Sequence, residues 1–393
     1  MRLAARVSRI SLSSTAAVLT AAARLKAEGY DVVDFGPGEP DFPTPDNVKR
    51  AAIEAIQSNF TKYTATEGIA ELKQAIVDWH AQEFKTSYNP EQVLVTVGGK
   101  HSIFNLVSAL IEADDEVVIP IPYWVTFRDV VHYVGGRCVF VRTREEDNFR
   151  VRADQVEAAI TPKTRLIILN SPGNPSGAVI SEDEVRKIAQ TARERQIIIL
   201  TDECYSHFVY GSQHVFSMAS LGPAYCDHLV VVGSLSKTYS MTGWRVGYCL
   251  APAELIKSML KIQSHCTSNV SSISQKAAVE ALRGPQDSVQ DMLREYAARR
   301  ELIVAALNDI PGVRCNWPDG AFYVYPNVST FLEKPANQTT SDLCVALLQE
   351  AHVAVVPGEA FGTQEHIRIS YATSQVQLAK GVERMKKFLA RIR

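Results

Sequence analysis

A lysine and an aspartate that each follow an apolar run have the clearest chemical potential in this sequence. Lys237 comes shortly after residues 229–233 and two serines. Most lysines are solvated surface charges, but burial beside an apolar sheet lowers the proton affinity of an amine, as a Schiff-base lysine requires. Asp202 directly follows residues 197–201, where an acid is by default a cap or loop residue. Beside a Schiff-base lysine, it could instead keep a pyridine nitrogen protonated.

Ser234 and Lys237 also have the spacing of the S-x-x-K motif of serine acyl-transferases. That chemistry requires S-D-N and K-T-G partner motifs, and the sequence contains neither. We therefore interpret Lys237 as a candidate Schiff-base amine.

Donors suited to a phosphate group follow other apolar runs; they are Gly99, Lys100, Ser234, Ser236 and Arg245. Residues 98–100 stand before a helical pattern at 103–111, and free backbone N–H groups at a helix N-terminus attract anions. Arg245 could add forked, charge-assisted hydrogen bonds. The chain has no G-x-x-x-x-G-K-[ST] motif and no G-x-G-x-x-G motif after a strand, so neither nucleotide-binding loop is predicted.

Four residues could hold a carboxylate or an aromatic ring. Arg368 lies in a β-like stretch at 366–370, where its planar guanidinium could grip a carboxylate, although a surface strand arginine is an equal alternative. Tyr205 and Asn174 could hydrogen-bond a phenolic oxygen, and Trp124 could stack on a ring. Each aromatic residue alone is more simply a packing residue.

Strand patterns alternate with helical patterns between residues 90 and 250. Runs rich in Val, Ile and Leu predict buried strands at 93–97, 117–121, 166–170, 197–201 and 229–233. Amphipathic stretches such as 181–195 lie between them. This alternation predicts an α/β fold with a mostly parallel sheet flanked by helices. Because ligands bind at the carboxyl ends of such strands, the polar residues that follow all five runs are expected to form one site.

The pattern changes after residue 285. A long helical pattern at 288–307 leads into strand patterns at 322–325, 353–356 and 367–370. These segments predict a smaller α+β domain that the N-terminal segment joins. The predicted domains are residues 1–45 (N-terminal arm and part of the small domain), 46–285 (large domain) and 286–393 (small C-terminal domain).

Composition is that of an ordinary globular protein: 393 residues, 46% hydrophobic and 21% charged, with a net charge of −2. This balance favours neither a nucleic-acid nor a membrane partner. The seven cysteines form no C-x-x-C pair, which favours a cytoplasmic location and no metal site. Arg2, Arg6, Arg9 and Arg24 precede the first acidic residue and superficially resemble a transit peptide, but an arm of the mature fold is the preferred interpretation.

Together the motifs resemble those of the class I (fold type I) pyridoxal-phosphate aminotransferases, within them the aspartate aminotransferase subgroup that includes bacterial aspartate/prephenate aminotransferases. The resemblance covers nearly the whole chain and rests on residues 36–42, 62–64, 96–100, 122–124, 170–177, 202–205, 234–237, 241–247, 320–323, 355–358 and 368–374. It implies a large domain with a mostly parallel sheet flanked by helices, a smaller α+β domain, and pyridoxal 5′-phosphate as the cofactor.

The resemblance also implies a role for each candidate residue. Lys237 would hold the coenzyme as an internal aldimine and move a proton, while Asp202 would pair with the pyridine nitrogen. Further coenzyme contacts are implied for Gly99, Lys100, Trp124, Asn174, Tyr205, Ser234, Ser236 and Arg245. Substrate contacts are implied for Gly38, Lys100, Trp124, Asn174 and Arg368. Tyr63 would reach the coenzyme phosphate of the other subunit, which implies a homodimer with active sites at the subunit interface.

Substrate choice depends on one cation. In this subgroup a lysine after the glycine pair is associated with the distal carboxylate of dicarboxylic substrates, and Lys100 occupies that position. The resemblance thus implies ping-pong transfer between aspartate or glutamate and 2-oxoglutarate or oxaloacetate. Relatives often have Lys-Pro-Ser or Thr-Pro-Ser where residues 11–13 read Ser-Leu-Ser. This departure counts against the use of prephenate and weakens the dicarboxylate assignment. An aminotransferase that prefers prephenate, aromatic or other neutral amino acids is one alternative, and a pyridoxal-phosphate-dependent C–S lyase on the same fold is another.

Overall fold

The computed structural model describes residues 3–12, 14–211, 216–332 and 338–393; Arg2 and Ser13 lie outside these ranges. The helices are α1 Ser14–Ala27, α2 Asp46–Gln57, α3 Ala70–Phe84, α4 Gly99–Leu110, α5 Val125–Val134, α6 Ala153–Ala158, α7 Glu182–Glu194, α8 Leu235–Thr238, α9 Ala253–Ser264, α10 Ser272–Arg283, α11 Asp287–Asn308, α12 Thr340–Glu350 and α13 Gln375–Ile392. None of these described helices is both long enough and apolar enough to cross a bilayer.

The strands form a large sheet and two small ones. They are β1 Val33–Asp34, β2 Val93–Thr96, β3 Glu116–Ile121, β4 Arg137–Arg142, β5 Thr164–Asn170, β6 Ile198–Asp202, β7 Leu229–Ser234, β8 Gly247–Leu250, β9 Tyr323–Val324, β10 Val353–Ala354, β11 Val356–Pro357 and β12 Ile367–Ser370. Within the described ranges, the large sheet has seven strands in the order β2-β8-β7-β6-β5-β3-β4. It contains all five strands predicted between residues 90 and 250.

Strand direction brings the carboxyl ends of those five strands to one edge. Strand β8 is antiparallel to both β2 and β7, so β2 runs in the same direction as β7. The pairs β7–β6, β6–β5 and β5–β3 are parallel. The expected convergence of the polar segments that follow these strands is therefore confirmed.

Apolar side chains cover both faces of the large sheet. Ile168 of β5 belongs to a core cluster with α4 and α5, whereas its neighbours Ile167 and Leu169 belong to a cluster with α7. Successive strand residues point to opposite faces, so a strand covered on both sides must be apolar at every position. Helix α7 begins where predicted, because the Ser181 hydroxyl accepts a hydrogen bond from the Glu184 backbone N–H.

The C-terminal part carries the small sheets. Strands β11, β12 and β9 form an antiparallel sheet, and β1 pairs in parallel with β10. The single strand predicted at residues 353–356 is wrong, since Val353–Ala354 and Val356–Pro357 belong to different sheets. The N-terminal segment pairs with the C-terminal part through β1. The domain boundaries at residues 45 and 285 stay a prediction.

Candidate active site

A cleft of about 240 Å³ opens at the carboxyl edge of the large sheet. Its walls come from five strand ends, the N-terminal segment and the C-terminal sheet. The lining residues are Leu19, Gly36, Gly38, Gly99, Lys100, Trp124, Asn170, Asn174, Asp202, Cys204, Tyr205, Ser234, Ser236, Lys237, Arg245, Tyr323 and Arg368. Among the described residues, the cleft thus gathers every predicted site residue except Tyr63.

Lys237 lies on the short helix α8, which the Ser234 hydroxyl caps by accepting a hydrogen bond from the Ser236 backbone N–H. The Lys237 Nζ donates a 2.6 Å hydrogen bond to the carbonyl oxygen of Gly38. Burial lowers the pKa of this amine to about 8. A substantial fraction is therefore neutral, and nucleophilic, near physiological pH.

Asp202 ends β6 and is buried, with 5% of its surface exposed. Its Oδ1 accepts a hydrogen bond of 3.1 Å from the backbone N–H of Cys204. Burial raises the pKa of the carboxyl, and that hydrogen bond opposes the rise. Among the described residues, Asp202 forms no direct ion pair, and the charge of Lys237 acts on it only from a greater distance, so it lacks a bound cationic partner. A ligand that presents a cationic N–H group would supply one.

An anion site surrounds the start of α4. Gly98 has a φ of 76°, and no side chain caps the helix that follows. A Cβ at Gly98 would lie 2.6 Å from Nη2 of Arg245, so the guanidinium rests directly over this turn. A Cβ at Gly247 would lie 2.4 Å from the backbone nitrogen of Gly99. Glycine at both positions allows the helix N-terminus and the cation to approach each other, which suits a phosphate.

Arg368 on β12 is only 2% exposed. Its Nη1 donates to Oδ1 of Asn174 at 3.0 Å, and its Nη2 donates to the carbonyl oxygen of Gly36 at 2.6 Å. Its Nε has no hydrogen-bond partner among the described residues. A buried guanidinium held by neutral acceptors, with one N–H unsatisfied, is suited to bind a carboxylate.

A second cation lines the cleft beside an aromatic ring. The Nζ of Lys100 lies 5.0 Å from the centroid of the Trp124 ring. Partial burial and the charge of Arg245 lower the pKa of Lys100. The cleft thus offers two positively charged groups, Arg368 and Lys100, for anionic groups of a substrate.

The structure adds lining residues to which sequence reasoning gave no role; they are Leu19, Gly36, Asn170, Cys204 and Tyr323. Gly36 acts through its backbone carbonyl, for which residue type gives no signal. Tyr323 is the last residue of segment 320–323, one of the segments on which the family resemblance rests. Its place in that segment, near the C-terminal strands, was the one available indication that it lines the site.

Tyr63 lies away from the cleft and is 92% exposed. It borders a separate open cavity together with residues 61–62, 267, 269 and 271–273. The cleft formed by this chain therefore does not use the Tyr63 side chain, and the role predicted for Tyr63 stays a prediction.

The chain matches the profile of the family described as aminotransferase class I and II over residues 30–385. An aspartate aminotransferase of Bacillus sp. (strain YM-2) is 41% identical over 98% of this chain and 99% of that protein. An aspartate/prephenate aminotransferase of Nitrosomonas europaea is 43% identical over 99% of this chain and all of that protein. The crystal structure of the Rhizobium meliloti aspartate aminotransferase superposes with a TM-score of 0.95, at 42% identity and full coverage of both chains. A Thermus thermophilus aspartate aminotransferase solved with maleate has a TM-score of 0.94, at 38% identity, over 99% of this chain and all of that one.

The fold is therefore that of a fold type I aminotransferase. The chain belongs to the class I and II aminotransferase family.

Proposed function

We propose that this aminotransferase uses pyridoxal 5′-phosphate and moves an amino group between aspartate or glutamate and 2-oxoglutarate or oxaloacetate. The observation that carries the proposal is the meeting of Lys237, Asp202 and Arg368 in one cleft: an amine of lowered pKa, a buried acid without an ion pair and a guanidinium with a free N–H. The names of the similar proteins, aspartate aminotransferases, support the same activity and substrate class.

The cleft fits this coenzyme on three counts. The buried carboxyl of Asp202 can neutralise a pyridinium nitrogen, and Trp124 offers a ring face for stacking. The N-terminus of α4 and Arg245 can hold the phosphate. When bound, the coenzyme supplies an aldehyde for a lysine amine and an electron sink for a carbanion. The proposed coenzyme-binding residues are Gly99, Lys100, Trp124, Asn174, Asp202, Tyr205, Ser234, Ser236, Lys237 and Arg245, with Tyr63 from the other subunit.

Lys237 is the proposed catalytic residue. Its neutral Nζ can accept the proton from the substrate Cα and return a proton in the second half of the cycle. Arg368 and Asn174 fix the α-carboxylate, with Gly38 beside them, and so determine which Cα bond lies near Nζ. Asp202 would keep the pyridine nitrogen of the coenzyme protonated.

Lys100 is proposed to select dicarboxylic substrates. Besides Arg368, and apart from Arg245 in the anion site, Lys100 places a positive charge in the cleft beside Trp124. A cation that pairs with a distal carboxylate favours an acidic side chain over a neutral one. The Thermus thermophilus relative was solved with maleate, which carries two carboxylates.

Replacing Lys100 by alanine is expected to lower kcat/KM for aspartate by about 10- to 100-fold, the value of one charge-assisted hydrogen bond. With pyridoxal phosphate kept saturating, so that the proposed contact of Lys100 with the coenzyme does not limit the assay, the kcat/KM for a neutral amino acid such as alanine should stay within about 3-fold, well under one such bond. Steady-state kinetics with both donors measure the ratio. Lys187→Ala, which removes an exposed cation on α7, is the control. Equal losses of kcat/KM for both donors would show that Lys100 takes no part in substrate recognition.

The pH dependence of coenzyme attachment should follow the lowered pKa of Lys237. Only the neutral amine attacks an aldehyde, so attachment to the coenzyme-free protein should speed up as pH rises and level off above about 8. With an ordinary lysine, the rate of coenzyme attachment would keep rising up to about pH 10.4. Stopped-flow absorbance between pH 6 and 10 gives this profile. A midpoint near 10 would contradict a buried amine.

The activity is tested on the purified protein with added pyridoxal phosphate. A visible absorption band should form and shift when aspartate or glutamate is added. Aspartate with 2-oxoglutarate should yield stoichiometric glutamate, whereas ammonia and pyruvate would favour a lyase. A panel that includes prephenate and aromatic acceptors is warranted, because one relative is named an aspartate/prephenate aminotransferase. A protein that stays colourless would overturn the proposal.

We also propose a homodimer in which Tyr63 of each subunit reaches the coenzyme phosphate of the other. The 92% exposure of Tyr63 and the exposure of Ile53 and Ile56 on α2, each about half, support an additional contact surface. Analytical ultracentrifugation of the protein with its coenzyme would test the state of assembly.

A cytoplasmic location is the remaining part of the proposal. All seven cysteines are described, and none is in a disulfide. Free thiols in this number are typical of a reducing compartment.

A further inference from the structure

Two tyrosine hydroxyls meet at the inner wall of the cleft. The Oη atoms of Tyr205 and Tyr323 lie 2.7 Å apart, and both side chains are buried. Tyr205 follows β6 of the large sheet, whereas Tyr323 begins β9 of the C-terminal sheet. The pair is therefore a direct hydrogen bond between the two sheets that form the cleft.

The position of Arg368 indicates which hydroxyl donates. Its guanidinium lies 4.7 Å from the centroid of the Tyr323 ring. A cation beside a phenol stabilises the negative charge that builds up on the oxygen as it donates, so Tyr323 is the better donor. Burial raises the pKa of both hydroxyls, and for Tyr323 the Arg368 charge is the main opposing influence. For Tyr205, the neighbouring Tyr323 and Cys204 raise the pKa further.

Among the described residues, the two hydroxyls have few other hydrogen-bond partners or positions available to them. Among the described residues, each hydroxyl has the other as its hydrogen-bond partner. Gly38 confines Tyr323 on another side, since a Cβ there would lie 2.6 Å from the Tyr323 Oη. The charged and titratable groups that face the pair are Arg368 on β12 and Asp202 and Cys204 at the end of β6.

We propose that Tyr323 is a positioning residue: its hydroxyl donates to Tyr205, which leaves the Tyr205 proton free to point into the cleft and serve the phenolic oxygen of the coenzyme. The inference rests on the proposed function, because it assigns how one coenzyme contact is held. A hydrogen bond received by Tyr205 strengthens the one that Tyr205 donates. A donor at the phenolic oxygen draws negative charge away from it. With the coenzyme bound, the Lys237 nitrogen joined to it would then lose its proton at a lower pH.

The test is a pH titration of the visible absorbance of the protein loaded with pyridoxal phosphate, without substrate. In Tyr323→Phe the midpoint should rise by about half a pH unit or more, and in Tyr205→Phe it should rise further. The double variant should match Tyr205→Phe alone, because Tyr323 acts through Tyr205. Tyr371→Phe is the matched control: its buried hydroxyl lies 3.2 Å from that of Tyr210, away from the cleft. Its midpoint should equal that of the wild type.

The outcomes separate this inference from the proposed function. A wild-type protein that gains no visible band would overturn both. A wild-type protein that gains the band, with Tyr323→Phe titrating like Tyr371→Phe, would overturn the inference alone, as would additive shifts in the double variant.

If Tyr323→Phe does not fold, 3,5-difluorotyrosine at position 323 replaces it, since this residue has nearly the same volume as tyrosine and its hydroxyl donates a stronger hydrogen bond. That residue should lower the midpoint, and an unchanged midpoint would refute the role of Tyr323.

Discussion

Replacing Lys237 with alanine is expected to lower kcat by at least about 10³-fold, the largest loss of any single substitution in the cleft. In the proposed function, Lys237 would supply both the amine that joins the coenzyme aldehyde and the base that takes the substrate proton. Among the described lining residues, the other lysine is Lys100, whose Nζ lies over the ring of Trp124. We expect it to be unable to substitute. Steady-state assays with aspartate and 2-oxoglutarate measure the loss.

The folded state should survive this change. Among the described residues, the Lys237 side chain makes one hydrogen bond, to the Gly38 carbonyl oxygen, and its lowered pKa means that burial disfavours its charged form. The free energy of unfolding should therefore change by only about 1 kcal/mol, as measured by urea denaturation. Borohydride trapping should label Lys237 in the wild type and nothing in the variant. Lys187→Ala should retain wild-type turnover. Activity of Lys237→Ala within tenfold of the wild type would contradict the assignment.

Strand burial determined which parts of the fold were predictable. The five strands that end at the cleft are covered on both faces, so each reads as a continuous apolar run. Strand β4 was not predicted because it is an edge strand, with Arg137 and Arg142 exposed at its ends and Phe140 39% exposed. Strand β8 was not predicted because it is short and begins with a glycine. Glycine is needed at position 247 because the backbone of Gly99 approaches it too closely for a side chain.

The same logic explains the site. Lys237, Asp202 and Asn174 follow parallel strands, and such strands end at one edge, so their proximity follows from the predicted fold. Tyr323 lies in another sheet, 118 residues from Tyr205. Its approach depends on how the C-terminal sheet packs against the large sheet, and no local pattern specifies that. The role of Tyr63 stays a prediction, since it depends on a second subunit.

Replacing Arg368 with lysine is expected to lower kcat/KM by about 10²-fold, equal to about 3 kcal/mol of binding to the α-carboxylate. Lysine keeps the charge but cannot hold Asn174 and Gly36 while also presenting a planar pair of N–H donors. Because every amino-acid substrate carries an α-carboxylate, aspartate and alanine should lose similarly. Steady-state kinetics with both donors would show this.

Arg300→Lys is the matched control for that variant. Arg300 also contacts aromatic rings, those of Tyr210 and Trp317, and donates to the carbonyl oxygen of Pro318, but it does not line the cleft. Its kcat/KM should stay within about 3-fold of the wild type, which corresponds to under 1 kcal/mol. A loss in Arg368→Lys confined to aspartate would assign Arg368 to the distal carboxylate instead. Since Lys100→Ala is expected to affect aspartate selectively, the two variants together identify which cation holds which carboxylate.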